Sequence, residues 1–183
     1  MRELVERAKA GDREAFSELG RLWVDRLYAI ACLILRDHER AHDATQEALV
    51  ACWRDIRGLR DPDRFEPWIR RILVNACYRE ARRDQARHRV ERHVASVAVT
   101  GQDLTETLAD RDELERGFRR LAPDQRALLA LHYYLGLPLQ ETADSLGIPH
   151  GTAKSRLHRA VQELRAGLAA EARGERVAEG RPS

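Results

Sequence analysis

The sequence predicts an all-α protein built from two small helical domains joined by a flexible acidic linker. The 183 residues are rich in Ala, Leu, Arg and Glu and poor in β-branched residues, a composition that favours helices. Apolar residues recur at helical spacing in two stretches, and between them the period fails and the chain is polar and acidic. These observations predict a first domain at 1–90, a linker at 91–111, a second domain at 112–170 and a disordered tail at 171–183.

The first domain is predicted to hold a short opening helix and three longer ones. Gly11 and Asp12 break the chain, and Asp12 can cap the second helix. The inward positions are Phe16, Leu19, Trp23, Leu27, Ile30 and Ile34 on the second helix, Ala41, Ala44, Ala48, Cys52 and Ile56 on the third, and Ile69, Ile72, Leu73 and Ala76 on the fourth. Residues 57–67, with Gly and two prolines, are predicted to form a loop, and the fourth helix is expected to start at Trp68.

The second domain is predicted to end in a helix-turn-helix. One helix starts at Pro138 and stops at Gly147, and a basic helix begins at Gly151 or Thr152. Gly147 permits the positive φ that such a sharp turn requires. The outer face of the last helix would then carry Lys154, Ser155, His158 and Arg159, a set of donors of the size that the DNA major groove admits. A solvated charged face on an ordinary helix hairpin is the alternative.

The net charge of +2 argues against a protein that binds polyanions over its whole surface. The charge is nevertheless segregated along the chain. Residues 37–56 have a balance of −3, residues 57–92 of +5 and residues 93–116 of −4. This alternation predicts separate surfaces for separate partners.

The sequence shows no sign of a metal or cofactor site. Cys32, Cys52 and Cys77 lie in apolar-periodic segments, without a CxxC pair or a His at metal-ligand spacing, so we expect buried free thiols in a reducing cytoplasm. No apolar run approaches the roughly 18 residues of a membrane span, and the opening residues lack a signal-peptide core. We therefore expect a cytoplasmic protein that does not insert into membranes.

Two segments carry a family resemblance. Residues 121–165 contain Pro123, Gln125-Arg126, Tyr133-Tyr134, Gly136-Leu137, Glu141, Ala143, Leu146-Gly147-Ile148, Gly151-Thr152, Lys154-Ser155-Arg156-Leu157 and Arg159-Ala160. Residues 15–83 contain Ala15-Phe16, Arg26-Leu27-Tyr28, Ala41, Asp43, Gln46-Glu47-Ala48, Trp53, Pro67-Trp68, Ile72, Asn75 and Arg82-Arg83. These motifs resemble regions 4 and 2 of bacterial RNA polymerase sigma factors of the extracytoplasmic-function type, in the sigma-70 family, and the resemblance covers about residues 12–168.

The resemblance implies a role for each domain. Asp43, Gln46 and Glu47 would bind the β′ clamp helices of core RNA polymerase, and the chain would also bind the polymerase β flap. Arg71, Asn75, Tyr78 and Arg82 would contact the minus-ten element, with residues 59–65 forming a pocket for a flipped base. Thr152, Lys154, Ser155, His158 and Arg159 would contact the minus-thirty-five element.

Several side chains have two interpretations. Phosphate contacts at the minus-ten element could come from Arg70, Arg71, Arg79 or Arg82, although the family often has an acidic residue where Arg79 stands. Packing under the loop is favoured over base stacking for Trp68. The acidic linker would thread the polymerase cleft, and a generic tether would have a similar composition.

The resemblance also implies a regulatory partner and leaves two rival functions to compare. Members of the family are commonly held inactive by an anti-sigma factor. One rival is a helix-turn-helix regulator that acts without polymerase as an obligate partner. The other is an enzyme, which the sequence disfavours because it has no Gly-rich phosphate loop, nucleophile elbow or metal-spaced cluster.

Overall fold

A computed structural model describes the backbone of residues 1–94, 117–118 and 120–179, and the side chains of 1–86, 117, 118 and 120–168. Within these ranges the chain is helical and contains no strand, as the sequence predicts. The helices are α1 (Arg2–Lys9), α2 (Arg13–Leu35), α3 (His38–Asp55), α4 (Phe65–Val94), α5 (Pro123–Leu129), α6 (Leu139–Leu146) and α7 (His150–Glu179).

Carboxylate caps start the two helices at the centre of the first domain. Asp12 accepts hydrogen bonds from the backbone N–H groups of Glu14 (2.9 Å) and Ala15 (3.1 Å), and Asp37 accepts one from Arg40 (2.9 Å). The predicted inward stripes of α2, α3 and α4 are confirmed as the core, with Phe16 and Ile72 only partly buried at its margin. The first domain is thus a four-helix unit around one apolar centre.

All three cysteines are free thiols, as expected from their setting. Cys52 and Cys77 are buried, and burial raises the pKa of each to about 12. Cys32 is only half-buried, at the edge of the core beside Tyr28 and His38. Among the residues that the structure describes, no group of His, Cys, Asp and Glu could hold a metal ion.

The predicted loop at 57–67 is more ordered than expected. It contains 3₁₀ turns at Ile56–Gly58 and Pro62–Arg64, and α4 begins at Phe65 rather than Trp68. The side chain of Asp61 accepts from the Asp63 N–H (3.0 Å), which stabilises the second turn. Pro67 does not interrupt α4 because the first-turn N–H groups of a helix have no intrahelical acceptor.

Two further boundaries differ from the prediction. Residues 91–94, assigned to the linker, continue α4, and residues 171–179, assigned to a disordered tail, continue α7. Residues 171–179 are largely Ala, Glu and Arg, good helix formers, and Gly174 alone does not end the helix. Residues 91–94 contain no Gly or Pro that would stop a helix already nucleated. The rest of the predicted linker, at 95–111, lies outside the described residues, as do the last four residues.

The second domain places three helical segments around a smaller core. Gln125 accepts from the N–H of Ala122 (2.7 Å) at the start of α5, which passes into a π-helical turn at Ala130–Tyr134. Leu121, Leu129 and Ala160 form the buried centre of this domain. The last helix begins at His150, one residue before Gly151 and two before Thr152, the two predicted starts.

The two domains also share a core. Ala127 and Leu131 of the second domain are completely buried within the apolar cluster of the first, and Leu135, Leu137 and Leu146 pack against its edge. Helix α5 contacts α2 and α4, and α6 contacts α4. The sequence predicted two domains but not this packing between them.

Candidate nucleic-acid interface

The outer face of α7 is open to solvent. Lys154, Ser155, His158 and Arg159 are exposed, whereas Ala153 and Ala160 are buried and orient the helix. Thr152 is half-buried, and its carbonyl accepts a hydrogen bond from Ser155 Oγ (3.1 Å). The structure therefore brings the five residues predicted to contact the minus-thirty-five element together at the N-terminal end of α7. We call these five residues the reading face.

The turn before α7 has the predicted glycine conformation. Gly147 adopts φ +66° and ψ +34°, and the N–H groups of Gly147 and Ile148 donate to the carbonyls of Asp144 (3.2 Å) and Ala143 (3.1 Å). The buried Thr142 hydroxyl donates to the Pro138 carbonyl (3.1 Å). The two backbone bonds of the turn fix the chain between α6 and α7, after which the reading face is exposed to solvent.

Four predicted minus-ten residues lie along α4, and we call them the α4 stripe. Arg71, Asn75 and Arg82 are exposed, and Tyr78 is half-buried. Burial raises the pKa of the Tyr78 hydroxyl well above its usual value, with Asp124 and Arg156 of the second domain as further electrostatic neighbours. The guanidinium of Arg71 lies against Gly147, so the stripe faces the second domain at two of its four positions.

A cavity of about 410 Å³ lies beside the loop that was predicted to hold a flipped base. Residues 62–67 form one wall, Arg70 lies in the lining, and Glu141 and Asp144 of α6 contribute to another wall. The Arg64 guanidinium lies 3.5 Å from the Asp144 carboxylate. Of the predicted pocket residues 59–65, only residues 62–65 line the cavity, and residues of the second domain share it with them.

Two residues beside this cavity, Trp68 and Arg70, pack within the first domain. Trp68 packs against Phe65 with ring centroids 6.0 Å apart, which agrees with packing rather than base stacking. Arg70 is only 5% exposed, bonds to Glu66 (2.6 Å) and lies over the Trp23 ring. The suggestion that Arg70 contacts phosphate is wrong for this structure, because its side chain is enclosed between Glu66 and Trp23.

One of the three predicted polymerase-binding residues on the acidic face of α3 already forms ion pairs within the protein. Asp43 and Gln46 are exposed, and the Glu47 carboxylate bridges to Arg79 (3.0 Å) and Arg83 (3.5 Å) of α4. The departure from the family pattern at Arg79 thus has a structural role, since its guanidinium pairs with a residue predicted to bind polymerase. That departure was the only sequence signal for this pairing.

Sequence reasoning missed the residues that join the domains. Arg126 donates from Nε to the Ile34 carbonyl (2.5 Å) and from Nη1 to the Leu121 carbonyl (2.8 Å). Burial is the main cause that lowers the pKa of Arg126, to about 10, with Arg36 and Arg40 adding to the effect. Glu141 and Asp144 were likewise unassigned, because only the packing of α6 on α4 places them at the cavity.

The described part of the chain has no helix long and apolar enough to cross a bilayer.

Comparisons with known proteins agree with the resemblance. The family model described as Sigma-70 region 2 matches residues 21–87, and that described as Sigma-70, region 4 matches residues 111–164. The chain is 35% identical over 163 residues to the ECF RNA polymerase sigma factor SigM of Mycobacterium tuberculosis, covering 88% of this chain and 81% of that protein.

Solved structures show the same fold. CnrH in complex with the cytosolic domain of CnrY is 25% identical, with a TM-score of 0.65 and coverage of 92% of this chain and 97% of that one. The sigma factor RpoE of Bartonella quintana, in complex with the anti-sigma factor NepR, is 24% identical, with a TM-score of 0.66 and coverage of 84% and 96%. The chain belongs to the extracytoplasmic-function group of the sigma-70 family, the non-enzymatic subunits that direct core RNA polymerase to promoters.

Proposed function

We propose that the functional surfaces divide promoter recognition and polymerase binding between the two domains. Residues 1–90 act as region 2, with the α4 stripe binding the minus-ten element and helping to open it. Residues 112–170 act as region 4, with the reading face binding the minus-thirty-five element. The observation that carries this proposal is the exposed reading face, held behind a Gly147 turn of helix-turn-helix geometry.

The chemistry of the α4 stripe suits single-stranded DNA. Arg71 and Arg82 can follow the phosphate backbone, Asn75 can hydrogen-bond a base edge, and Tyr78 offers a ring and a protonated hydroxyl. Capture of a flipped base in the neighbouring cavity would offset part of the energy that unstacking the base requires. These residues therefore bind the strand that separates when the promoter opens.

The proposed protein partners are core RNA polymerase, suggested by the acidic face of α3, and an anti-sigma factor, suggested by the relatives. Asp43, Gln46 and Glu47 pair with basic residues of the β′ clamp helices, while the second domain binds the β flap. Because RpoE is seen with an anti-sigma factor, we extend that class of partner to this chain. The site of action is the cytoplasm, where RNA polymerase works.

Substitution of Arg159 tests the assignment of the reading face. Holoenzyme carrying Arg159→Ala should lose protection of the upstream element in a footprint, on a promoter first found by run-off transcription from a genomic library. Loss of a base or phosphate contact should reduce affinity by roughly tenfold. Arg165→Ala, an exposed arginine later in α7, is the matched control and should leave the footprint intact.

The rival regulator is tested with free protein. A helix-turn-helix regulator that works alone would shift promoter duplex without polymerase, whereas a sigma factor should do so poorly. Unchanged protection by Arg159→Ala, or tight shifts by the free protein, would count against the proposal.

A further inference from the structure

The first helix, α1, forms part of the cavity in which a flipped base is proposed to bind. Met1 and Arg2, at the start of α1, line this cavity together with residues 62–67. Neither residue belongs to the pocket predicted at 59–65, because helical periodicity does not show which loop a helix will contact. The cavity therefore has a wall that comes from outside the predicted pocket.

An ion pair joins α1 to the loop. The Arg2 guanidinium binds the Asp63 carboxylate, and its Nε atom lies 3.3 Å from the carboxylate of Glu6, one turn along α1. The backbone of Asp63 is also held, because its N–H donates to the side chain of Asp61 (3.0 Å). The second 3₁₀ turn is thus fixed on one side by its own capping aspartate and on the other by Arg2.

Apolar packing joins the same two segments. Every third residue from 56 to 65 is buried, as expected for 3₁₀ turns, which have three residues per turn. Val5 and Ala8, the buried residues of α1, belong to the same apolar cluster as Ile56 and Leu59. Helix α1 contacts both 3₁₀ turns. The course of the loop backbone therefore depends on α1.

The turn after α1 lies against the other end of the loop. Gly11 adopts φ +98°, and a Cβ there would lie 3.2 Å from the Nη2 atom of Arg57, in the first 3₁₀ turn. Arg57 and Asp63 are six residues apart, so α1 and its turn contact the loop near both of its ends. Both contacts lie within the first domain, and neither involves the second.

We propose that Arg2 is a positioning residue for minus-ten recognition, because it holds the pocket for the flipped base in one shape through Asp63. This inference rests on the proposed role of the cavity. Discrimination between bases requires donors and acceptors that are held to within about 0.5 Å. A loop released from α1 should therefore accept other bases more readily.

The Arg2–Asp63 pair acts on selectivity rather than on stability. Its side chains are 58% and 61% exposed. Exposed ion pairs change an equilibrium by at most about fivefold. Loss of Arg2 should therefore leave the chain folded, with a melting temperature close to that of the wild type, while the loop is held less firmly.

Holoenzyme and a pool of fork-junction DNA provide the test. In this pool the duplex ends in a single strand that spans the minus-ten element, with every single-stranded position randomised. Sequencing of the bound and total DNA gives the base preference at each position. Arg2→Ala should reduce the preference at one position, that of the flipped base, by about two- to fivefold. Arg2→Lys, which keeps a cation within reach of Asp63, should retain the wild-type preference.

Two further proteins separate positioning from other effects. Arg13→Ala is the matched control, since Arg13 is exposed on α2 and does not line the cavity, and it should match the wild type in base preference and melting temperature. Arg2→Ala in an Asp63→Ala background should add nothing, because Arg2 acts through Asp63. A loss of affinity that is uniform over all sequences and persists in this background would show that Arg2 contacts phosphate directly. That result would overturn the inference.

Variants of the loop separate this inference from the proposed pocket. Asp63→Ala and Arg64→Ala each change a residue that lines the cavity. If they alter the base preference and Arg2→Ala does not, the positioning role of Arg2 is overturned and the pocket is retained. If none of the three variants alters it, the pocket and the role of Arg2 are both overturned.

Discussion

The Arg126 Nε atom of the second domain lies 2.5 Å from the carbonyl oxygen of Ile34, near the C-terminal end of α2 in the first domain. The last carbonyls of a helix have no intrahelical donor and carry partial negative charge, so a guanidinium is a suitable partner. One side chain thus joins the two domains through residues that are 92 positions apart in the sequence.

Removal of this side chain should destabilise the folded protein. Arg126→Ala leaves the Ile34 and Leu121 carbonyls without their donor, which should lower the free energy of unfolding by about 1–2 kcal/mol. The decrease should lie near the lower limit of this range, because burial of the guanidinium charge offsets part of the stabilisation that the two hydrogen bonds provide. Urea denaturation measures the change, and Arg165→Ala, exposed on α7, should stay within about 0.5 kcal/mol of wild type.

Two glycines with the same positive φ should differ slightly in their tolerance of alanine. Gly136 and Gly147 both have φ +66°, so each substitution should cost about 1–2 kcal/mol of backbone strain. A Cβ on Gly136 meets nothing within 4 Å, whereas one on Gly147 clashes with Arg71. The clashing atoms are the far end of the flexible, exposed Arg71 side chain, which can shift, so Gly147→Ala should be the more destabilising in thermal unfolding by only a small margin.

The double variant isolates the clash. In an Arg71→Ala background the costs of Gly136→Ala and Gly147→Ala should become equal, since only the backbone strain remains. A difference that persisted without the Arg71 side chain would show that this contact does not limit Gly147.

The cap of α2 should make stability depend on acid pH. Hydrogen bonds from the Ala15 N–H and from Arg7 lower the pKa of Asp12 below its usual value of 3.8. A carboxyl whose pKa is lower in the folded state stabilises it above the unfolded pKa, and this contribution is lost as pH falls through the folded pKa. Asp12→Ala should therefore reduce the melting temperature at pH 7.

Melting temperatures of the wild type and the Asp12 variants, measured over a series of pH values, test this prediction. The gap in melting temperature between Asp12→Ala and wild type should shrink as the pH falls below 3.8, and Asp12→Asn, which can still cap the helix, should lose less at pH 7. A gap independent of pH would mean that the charge of Asp12 contributes nothing.

The pairing of Glu47 with Arg79 should be weak in stability but visible in polymerase binding. Both side chains are partly exposed, so Arg79→Ala should change the free energy of unfolding by less than about 1 kcal/mol. It should also tighten binding to core polymerase a few-fold, because Glu47 would no longer have to leave one of its partners. Glu47→Ala should weaken binding, and titration of labelled protein with core enzyme measures both effects. Equal affinities for the three proteins would remove Glu47 from the polymerase interface.

Much of the fold follows from local sequence. The stripes of α2, α3 and α4, the Asp12 cap and the Gly147 turn depend on residues within a few positions of one another, and the structure confirms them. The reading face was found for the same reason, because one helix carries all of it. Helix ends were less predictable, since residues 91–94 and 171–179 have no strong stop signal and continue helices already formed.

By itself, the sequence determined two helical domains, a helix-turn-helix and the exposed donors of α7. Only the tertiary structure decided which core each apolar face joins. Ala127 and Leu131 enter the cluster of the first domain rather than that of their own. Helical periodicity shows which side of a helix avoids water, and it carries no information about which distant surface covers that side. The pairing of Arg64 with Asp144 and the contact of Arg71 with Gly147 depend on that choice.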